Sequence, residues 1–308
     1  MINKIVAIQA NHPSKLNPIT DTSVFLANEI QNKNYKIFYY DPKDLSIINS
    51  KVVASGFFIK FNYKNNKFFK ILKNQKLDLT KCKFILIRQD PPFNLEYISA
   101  TYILDTIKDK VKILNNPTSI RNISEKLYSV KFQRYMPSTI FTQNISEIKN
   151  FFKIHKKVIL KPIHSFSGND IHLLDKFNSK LINQFIKKHN HIMCQKFLPK
   201  ISKGDKRVFL INGKVCGAIS RVPKQGSFLS NMSKGAKPIN IKLTKIENKI
   251  SKLIAKDLKK ENIFFAGIDF IDQKLNGDIN VTSPTGLKTL YNLSKINLAK
   301  TFWKELKA

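Results

Sequence analysis

The sequence predicts an α/β protein with a parallel-sheet unit first and a second unit of strands, helices and hairpins after it. Three observations carry that expectation. Residues 2–8 form an apolar strand, Thr20-Asp21 caps a helix to about Asn32 with Val24, Leu26, Ala27 and Ile30 apolar, and residues 35–40 form a second strand. Strand, helix and strand in that order build a parallel pair. At about Asn122 the pattern changes to short strands separated by helices and turn residues. Near the end, residues 267–285 read as a hairpin, with Ile268, Phe270, Ile279 and Val281 alternating with polar residues around a turn at Lys274-Leu275-Asn276-Gly277.

The chain has 308 residues, 42% of them hydrophobic, enough for two packed units and too apolar for a disordered chain. No apolar run approaches the length of a bilayer span, and the first ten residues lead into no cleavage-type segment, so a cytoplasmic protein without a membrane partner is expected. Cys82, Cys194 and Cys216 are far apart and odd in number, which makes neither a disulfide framework nor a metal-ligand spacing. The net charge of +33 points to anionic partners. Its source is almost all lysine, spread along the chain with much Asn and Ile, a compositional bias rather than a built stripe. With no zinc-finger spacing, basic heptad region or arginine-rich arm, no specific nucleic-acid partner is expected. Only five of the 54 basic residues are arginines: Arg88, Arg121, Arg134, Arg207 and Arg221. A chain that uses lysine by default keeps arginine where a planar, bidentate fork must meet a carboxylate or phosphate, so each is a candidate.

The loop at 11–18 after the first strand lacks G-x-G-x-x-G, which argues against dinucleotide binding there. Residues 46–63 read as strands of a small hairpin and 64–81 as a lysine-rich surface connection. Residues 83–88 are an apolar strand ending on Arg88, followed by Gln89-Asp90-Pro91-Pro92-Phe93. Ligands of open α/β sheets bind beyond the carboxyl ends of strands, which makes Arg88 a site candidate. A helix at 95–106, a strand at 112–114 and a short helix from Asn116-Pro117 follow, and Ser124 is read as the cap of another helix. In the second unit, strands fall at 139–141, 158–160, 171–174 and 191–195, and helices at 145–154 and 179–189. Lys161 closes a buried strand before the small-residue loop at 164–169, where a lysine can hold a nucleotide phosphate as a point charge. Strands at 208–211 and 215–222 flank Asn212-Gly213; a long loop at 223–238 reads as a lid, residues 243–260 as an amphipathic helix and 286–308 as mostly helix with Trp303 in the core.

In the hairpin, Asp278 and Asn280 share a face by the two-residue period, and Asp269 stands on the partner strand at about the same height. Two carboxylates and an amide oxygen suit a hard cation such as Mg²⁺, which shares its shell with substrate phosphates. Taken alone, the same residues fit a solvated hairpin face better, since short acidic hairpins are common.

Several stretches occur together and in order: Arg88-Gln89-Asp90-Pro91-Pro92-Phe93 with Ala100-Thr101-Tyr102-Ile103-Leu104; Asn116-Pro117 with Glu125-Lys126-Leu127; Leu160-Lys161-Pro162; residues 195–199; Gly204-Asp205-Lys206-Arg207-Val208; and Ile279-Asn280-Val281-Thr282-Ser283-Pro284-Thr285. In this combination the chain resembles bacterial glutathione synthetase, an ATP-grasp ligase, from about residue 21 to 285. The resemblance implies a Rossmann-like pre-ATP-grasp domain at 1–122 and an ATP-grasp domain at 123–308. The latter divides into a nucleotide-covering part at about 123–200 and a metal- and substrate-binding part at 201–308. It implies ATP-dependent ligation of glycine to γ-glutamylcysteine through an acyl phosphate, with Mg²⁺ (or Mn²⁺), in a homo-oligomer. By the same resemblance Lys126 and Lys161 contact ATP, and Gln195, Lys196 and Leu198 form the adenine hinge. Asp205 lies near the ribose, and Arg207 and Arg221 face the transferred phosphoryl group as catalytic residues. Asp269, Asp278 and Asn280 are metal ligands; Arg88, Ser283 and Thr285 contact the dipeptide.

The chain also departs from the family pattern. The loop after Lys161 has a single glycine and carries Phe166, Asp278 stands where the family uses the longer Glu, the lid at 223–238 has fewer glycines and no arginine, and Asn11 stands where an acidic residue is usual. A ligase of the same fold with a changed substrate or weakened activity is therefore the alternative reading, and a nucleic-acid-binding protein, argued from charge alone, a more distant one.

Overall fold

The computed structural model describes residues 4–62 and 68–308; the predicted strand and connection residues at 2–3 and 63–67 lie outside them. The chain opens with β1 (Ile5–Gln9), α1 (Thr22–Gln31) and β2 (Lys36–Tyr40), and β1 and β2 are parallel, as the βαβ reading predicts. Asp21 starts α1, its Oδ1 accepting the Val24 backbone N–H at 2.7 Å. Next come β3 (Leu45–Ile48), β4 (Lys51–Phe61), β5 (Phe69–Asp78), β6 (Phe84–Ile87), α2 (Leu95–Asp105), β7 (Lys112–Leu114) and α3 (Pro117–Asn122). Among the described residues they form a seven-stranded sheet in the order β3-β4-β2-β1-β6-β7, with β5 on β4. The lysine-rich connection predicted at 64–81 is a strand for most of its length. Most of β5 is exposed on both faces, so its sequence lacks the alternation that marks a half-buried strand, and its lysines blunt an open sheet edge.

The second unit has β8 (Thr139–Thr142), α4 (Ile145–His155), β9 (Val158–Pro162), β10 (His172–Leu174), α5 (Ser179–His189) and β11 (Ile192–Lys196). Its sheet runs β10-β9-β11-β8, entirely antiparallel. After it come β12 (Asp205–Ile211), β13 (Lys214–Val222), β14 (Lys237–Asn240), α6 (Lys245–Lys260), β15 (Phe265–Ile271), β16 (Lys274–Asn280), α7 (Leu287–Ser294) and α8 (Leu298–Glu305). These strands form a second antiparallel sheet, β14-β13-β12-β15-β16.

Three local readings are corrected here. Ser124 caps no α-helix: residues 127–135 form a 3-10 stretch that begins without a side-chain cap. The side chains of Glu125 and Lys126 are drawn away to distant partners instead. The hairpin turn is Asp272-Gln273, with φ of 48° and 62°, and not the Lys274–Gly277 segment, which belongs to β16. Gly277 uses its positive φ of 84° for a bulge: a Cβ there would stand 2.3 Å from the Met193 side chain of β11. The terminal helix is two helices, separated where Lys295 takes a φ of 63°.

The terminal helices join the units. Trp303 is fully buried, and its indole N–H donates to the Leu26 carbonyl of α1 at 2.8 Å. Phe302 and Leu298 share its core with Ile8 and Phe84 of the first sheet and Phe209 of β12. A polar joint reinforces this seam. The Asn115 side chain donates to the carbonyls of Phe265 (2.7 Å) and Val281 (2.6 Å) and accepts from the N–H groups of Phe264 (2.9 Å) and Phe265 (2.8 Å). Asn115→Ala would leave four backbone groups unpaired in a buried seam, and a loss of about 3 kcal/mol is expected in urea unfolding. A shift below about 1 kcal/mol would mean that water replaces the amide at no penalty.

Candidate active site

A cleft opens between the sheet of β8–β11 and the sheet of β12–β16. Its floor is an ion-pair ladder set by strand register. Asp205 is the cross-strand partner of Arg221, and Arg207 of Asp269. The Arg221 fork grips Asp205, with Nε to Oδ1 at 2.7 Å, and reaches Asp269 Oδ2 at 3.0 Å. Arg207 grips Asp269, with Nη2 to Oδ2 at 2.8 Å. All four are buried. Burial alone would push the Asp269 carboxyl up, but two guanidiniums hold it below the ordinary carboxylate range. Burial pushes Asp205 up against the pull of Arg221 and a smaller one from Ser230, with Asp269 adding to the rise.

The wall beside the floor pairs two lysines with β16. The Lys161 ammonium donates to the carbonyl (2.9 Å) and side-chain oxygen (3.0 Å) of Asn276 and lies 3.5 Å from Asp278. Lys126 donates to the Ser165 carbonyl at 2.9 Å and lies 3.6 Å from the other oxygen of Asp278. Burial lowers the pKa of Lys161, Asp278 works against that, and Lys126 adds to it. Asp278 is thus the shared counter-charge of both lysines. Asn280 donates to the Gly267 carbonyl at 3.2 Å, and its own amide oxygen carries no hydrogen bond among the described residues. Asp269, Asp278 and Asn280 all line the cleft, a set of hard oxygen donors that fits a cation completing its shell with phosphate oxygens. Among the described residues no group of three or more His, Cys, Asp or Glu side chains could hold a metal ion by itself.

The roof is two loops. Phe166, Ser167 and Gly168 lie on one side and Phe228 to Asn231 of the lid on the other. They meet at Gly168, whose φ is 71° and where a Cβ would stand 2.3 Å from the Asn231 side-chain oxygen. Lys196, Phe197 and Leu198 line the cleft beside Ile159, Ile201 and Ile271. Gln195 lines it too, buried, with its amide donating to Thr139 Oγ1 at 2.9 Å.

The eleven residues predicted for nucleotide, metal and catalysis therefore share one cleft. The three predicted for the dipeptide do not line it. Arg88 is buried at the end of β6, its Nε donating to Ser23 Oγ at 3.0 Å. Ser283 donates to the Gln89 carbonyl at 2.7 Å, and Thr285 is exposed. Of the three, Arg88 lines a second, smaller crevice with Thr282 and Pro284, where the first sheet meets the chain leaving β16. The other two arginines serve the fold: Arg121 pairs with Asp105 at 2.7 Å and stacks on Tyr102, and Arg134 stacks on Tyr135.

The N-terminal-domain model of prokaryotic glutathione synthetase matches residues 5–121, and the ATP-grasp-domain model of the same family matches residues 125–295. The chain belongs to the prokaryotic glutathione synthetase family. Among its relatives, the glutathione synthetase of Agrobacterium fabrum is 34% identical over 304 residues, covering 97% of this chain and 95% of that one. That of Buchnera aphidicola subsp. Baizongia pistaciae is 34% identical over 293 residues, covering 93% and 90%. Solved structures share the fold at low identity. The ATP-grasp ligase PsnB, complexed with a precursor variant, Mg and ADP, has a TM-score of 0.66 at 12% identity, with 99% of each chain covered. D-alanyl-alanine synthetase A of Vibrio cholerae has a TM-score of 0.62 at 14% identity, with 100% of each covered. The chain is thus an ATP-grasp, ATP-dependent ligase of the glutathione synthetase type.

Three residues of this glutathione synthetase family member's cleft escaped sequence reasoning. Asn276 was legible, because it precedes Asp278 by two on one strand and must share its face. Glu125, which accepts from the Val281 and Thr282 N–H groups at 2.9 and 3.1 Å, and Asn231 of the lid carry no local signal. Gly168→Ala should force the two roof loops apart, raising the KM for ATP several-fold while the thermal midpoint moves by a few degrees at most. An unchanged KM would remove the Gly168–Asn231 contact from the closed cleft.

Proposed function

We propose that this chain joins glycine to γ-glutamylcysteine with ATP, and that its cleft is where the phosphoryl group moves. The observation that carries the reading is the convergence of the Asp205–Arg221–Asp269–Arg207 ladder with Lys126 and Lys161 around Asp278. The adenine lies on Lys196 to Leu198 beside Gln195, and Lys126 and Lys161 hold the phosphates. Asp205, expected beside the ribose, is already gripped by Arg221 and acts mainly by fixing that guanidinium. Asp269, Asp278 and Asn280 would hold Mg²⁺, which would supply neutralisation of phosphate charge there.

The cysteinyl carboxylate attacks the γ-phosphorus and ADP leaves. Arg207 and Arg221 stabilise the charge that develops on the phosphoryl oxygens. The glycine amine then adds to the acyl carbon, the C–O bond to phosphate breaks with its electron pair leaving on phosphate, and the amine proton passes to solvent. No protein nucleophile takes part. The roof excludes water from the acyl phosphate. Arg88, Ser283 and Thr285 hold the dipeptide from the neighbouring crevice. The domain division at 122/123, with a further one near 200, agrees with the limits of the three sheets. A cytoplasmic setting is supported by free Cys82, Cys194 and Cys216, and among the described residues no helix is long and apolar enough to cross a membrane. A homo-oligomer rests on the family resemblance alone.

ADP release with ATP, Mg²⁺, γ-glutamylcysteine and glycine should require all four. Turnover with another amine or carboxylate in preference to these would favour the changed-substrate reading, for which Phe166 in the roof is the motive. Asp278→Asn should raise the Mg²⁺ concentration for half-maximal activity and lower the rate, since one ligand charge and the counter-charge of two lysines go together. An unchanged Mg²⁺ dependence would remove Asp278 from the metal site. Arg88→Lys should raise the KM for the dipeptide about tenfold with that for ATP constant, because a point charge replaces a fork. Equal effects on both would argue against that assignment.

A further inference from the structure

Beside the crevice at the carboxyl end of β6 lies a buried polar group that the proposed reaction has not used. Tyr97, in the first turn of α2, is 2% exposed, and its hydroxyl has no hydrogen-bond partner among the described residues. Its ring is fixed against Phe93, with centroids 5.1 Å apart, and its backbone N–H is taken by Asn94 at 3.0 Å. A buried hydroxyl left unpaired is a standing penalty, and a phenylalanine would fill the same space without it. The Arg88 guanidinium lies close enough for its charge to act on Tyr97, and its own charge faces the carboxylates of Asp21 and Asp90. Arg88 is 7% exposed, and only its Nε has a hydrogen bond among the described residues, so the two terminal nitrogens are unused. The other polar groups of the crevice are engaged: Gln9 with Gln89, Asn11 with Asp90 at 3.2 Å, Ser283 with the Gln89 carbonyl at 2.7 Å, and Glu125 with Thr282.

We propose that the Tyr97 hydroxyl positions the dipeptide by donating, together with the free end of Arg88, to the α-carboxylate of the γ-glutamyl residue. Two neighbouring donors, neither with a hydrogen bond at its free end among the described residues, suit an anionic acceptor. Burial, with Glu125 adding, holds the phenol protonated at neutral pH, so it is a donor and not a second anion. Of the two substrate carboxylates, the cysteinyl one must meet the phosphoryl group over the ladder, and neither Arg88 nor Tyr97 lines that cleft. The other carboxylate is the one left for them. The assignment rests on the glutathione synthetase reading and adds a specificity element to it.

The test compares the native protein with Tyr97→Phe, using γ-glutamylcysteine and the analogue 4-aminobutyryl-cysteine, which lacks the α-carboxylate. Loss of one hydrogen bond to a charged group should raise the dipeptide KM about tenfold. The KM for ATP should stay within twofold, and the thermal midpoint should be unchanged or higher. With the analogue, native and variant should have the same KM. An unchanged dipeptide KM in Tyr97→Phe, or an equal penalty with the analogue, overturns the assignment while leaving the ligase reading intact. Absence of dipeptide-dependent turnover in the native protein overturns both.

Discussion

Two carboxylates and two guanidiniums sit buried on three adjacent strands, and the cleft depends on their register. Charges removed from water are tolerable only when each meets an opposite charge at hydrogen-bond distance. Asp205 and Arg207 lie two residues apart on β12, so both point to the cleft face. Their partners come from β13 on one side and β15 on the other. A slip of one residue in either pairing would send the partner to the opposite face and strand a charge. The apolar faces of the same strands, with Val208, Ile268 and Phe270 in one core against α6, fix the register that the ladder needs.

The neighbouring parts take their places from that sheet. β16 pairs with β15, and its bulge at Gly277 brings Asn276, Asp278 and Asn280 to the same side as Asp269. Asp278 then gathers Lys126 and Lys161, and Lys126 in turn ties down the loop at Ser165. The first sheet is fixed to this assembly by Asn115, by Glu125 under Val281 and Thr282, and by Trp303 on Leu26. These joints hold the crevice at Arg88, with Tyr97 beside it, in a constant relation to the ladder, which a ligase that brings a carboxylate to ATP requires.

Much of this was legible in the sequence, for identifiable reasons. The cap at Asp21, the first two strands and the strand ending on Lys161 are local signals. Asp278 and Asn280 share a face because the strand period is two. The scarcity of arginine picked out Arg88, Arg207 and Arg221, all of which lie in the cleft or the crevice, but it picked out Arg121 and Arg134 equally, and these stack on tyrosines in the fold. What was not legible is pairing across the chain. Nothing local says that Asp205 meets Arg221, that Asn115 reaches Phe265 and Val281, or that Gly168 meets Asn231. β5 escaped because an edge strand exposed on both faces has no alternation to read. The turn was displaced because Gly277, the residue that usually marks one, is needed for a bulge against Met193.

The central claim is that the buried ladder is kept for phosphoryl chemistry rather than for the fold. Arg221→Met alone and the double variant Asp205→Leu with Arg221→Met, compared for unfolding free energy and for dipeptide-dependent ADP release, test it most directly. The single variant strands Asp205 and should lose about 3–5 kcal/mol, whereas the double variant, with no stranded charge, should recover most of that loss. Turnover should fall by about a hundredfold or more in both. Recovery of turnover along with stability in the double variant would contradict the claim and make the ladder a structural device alone.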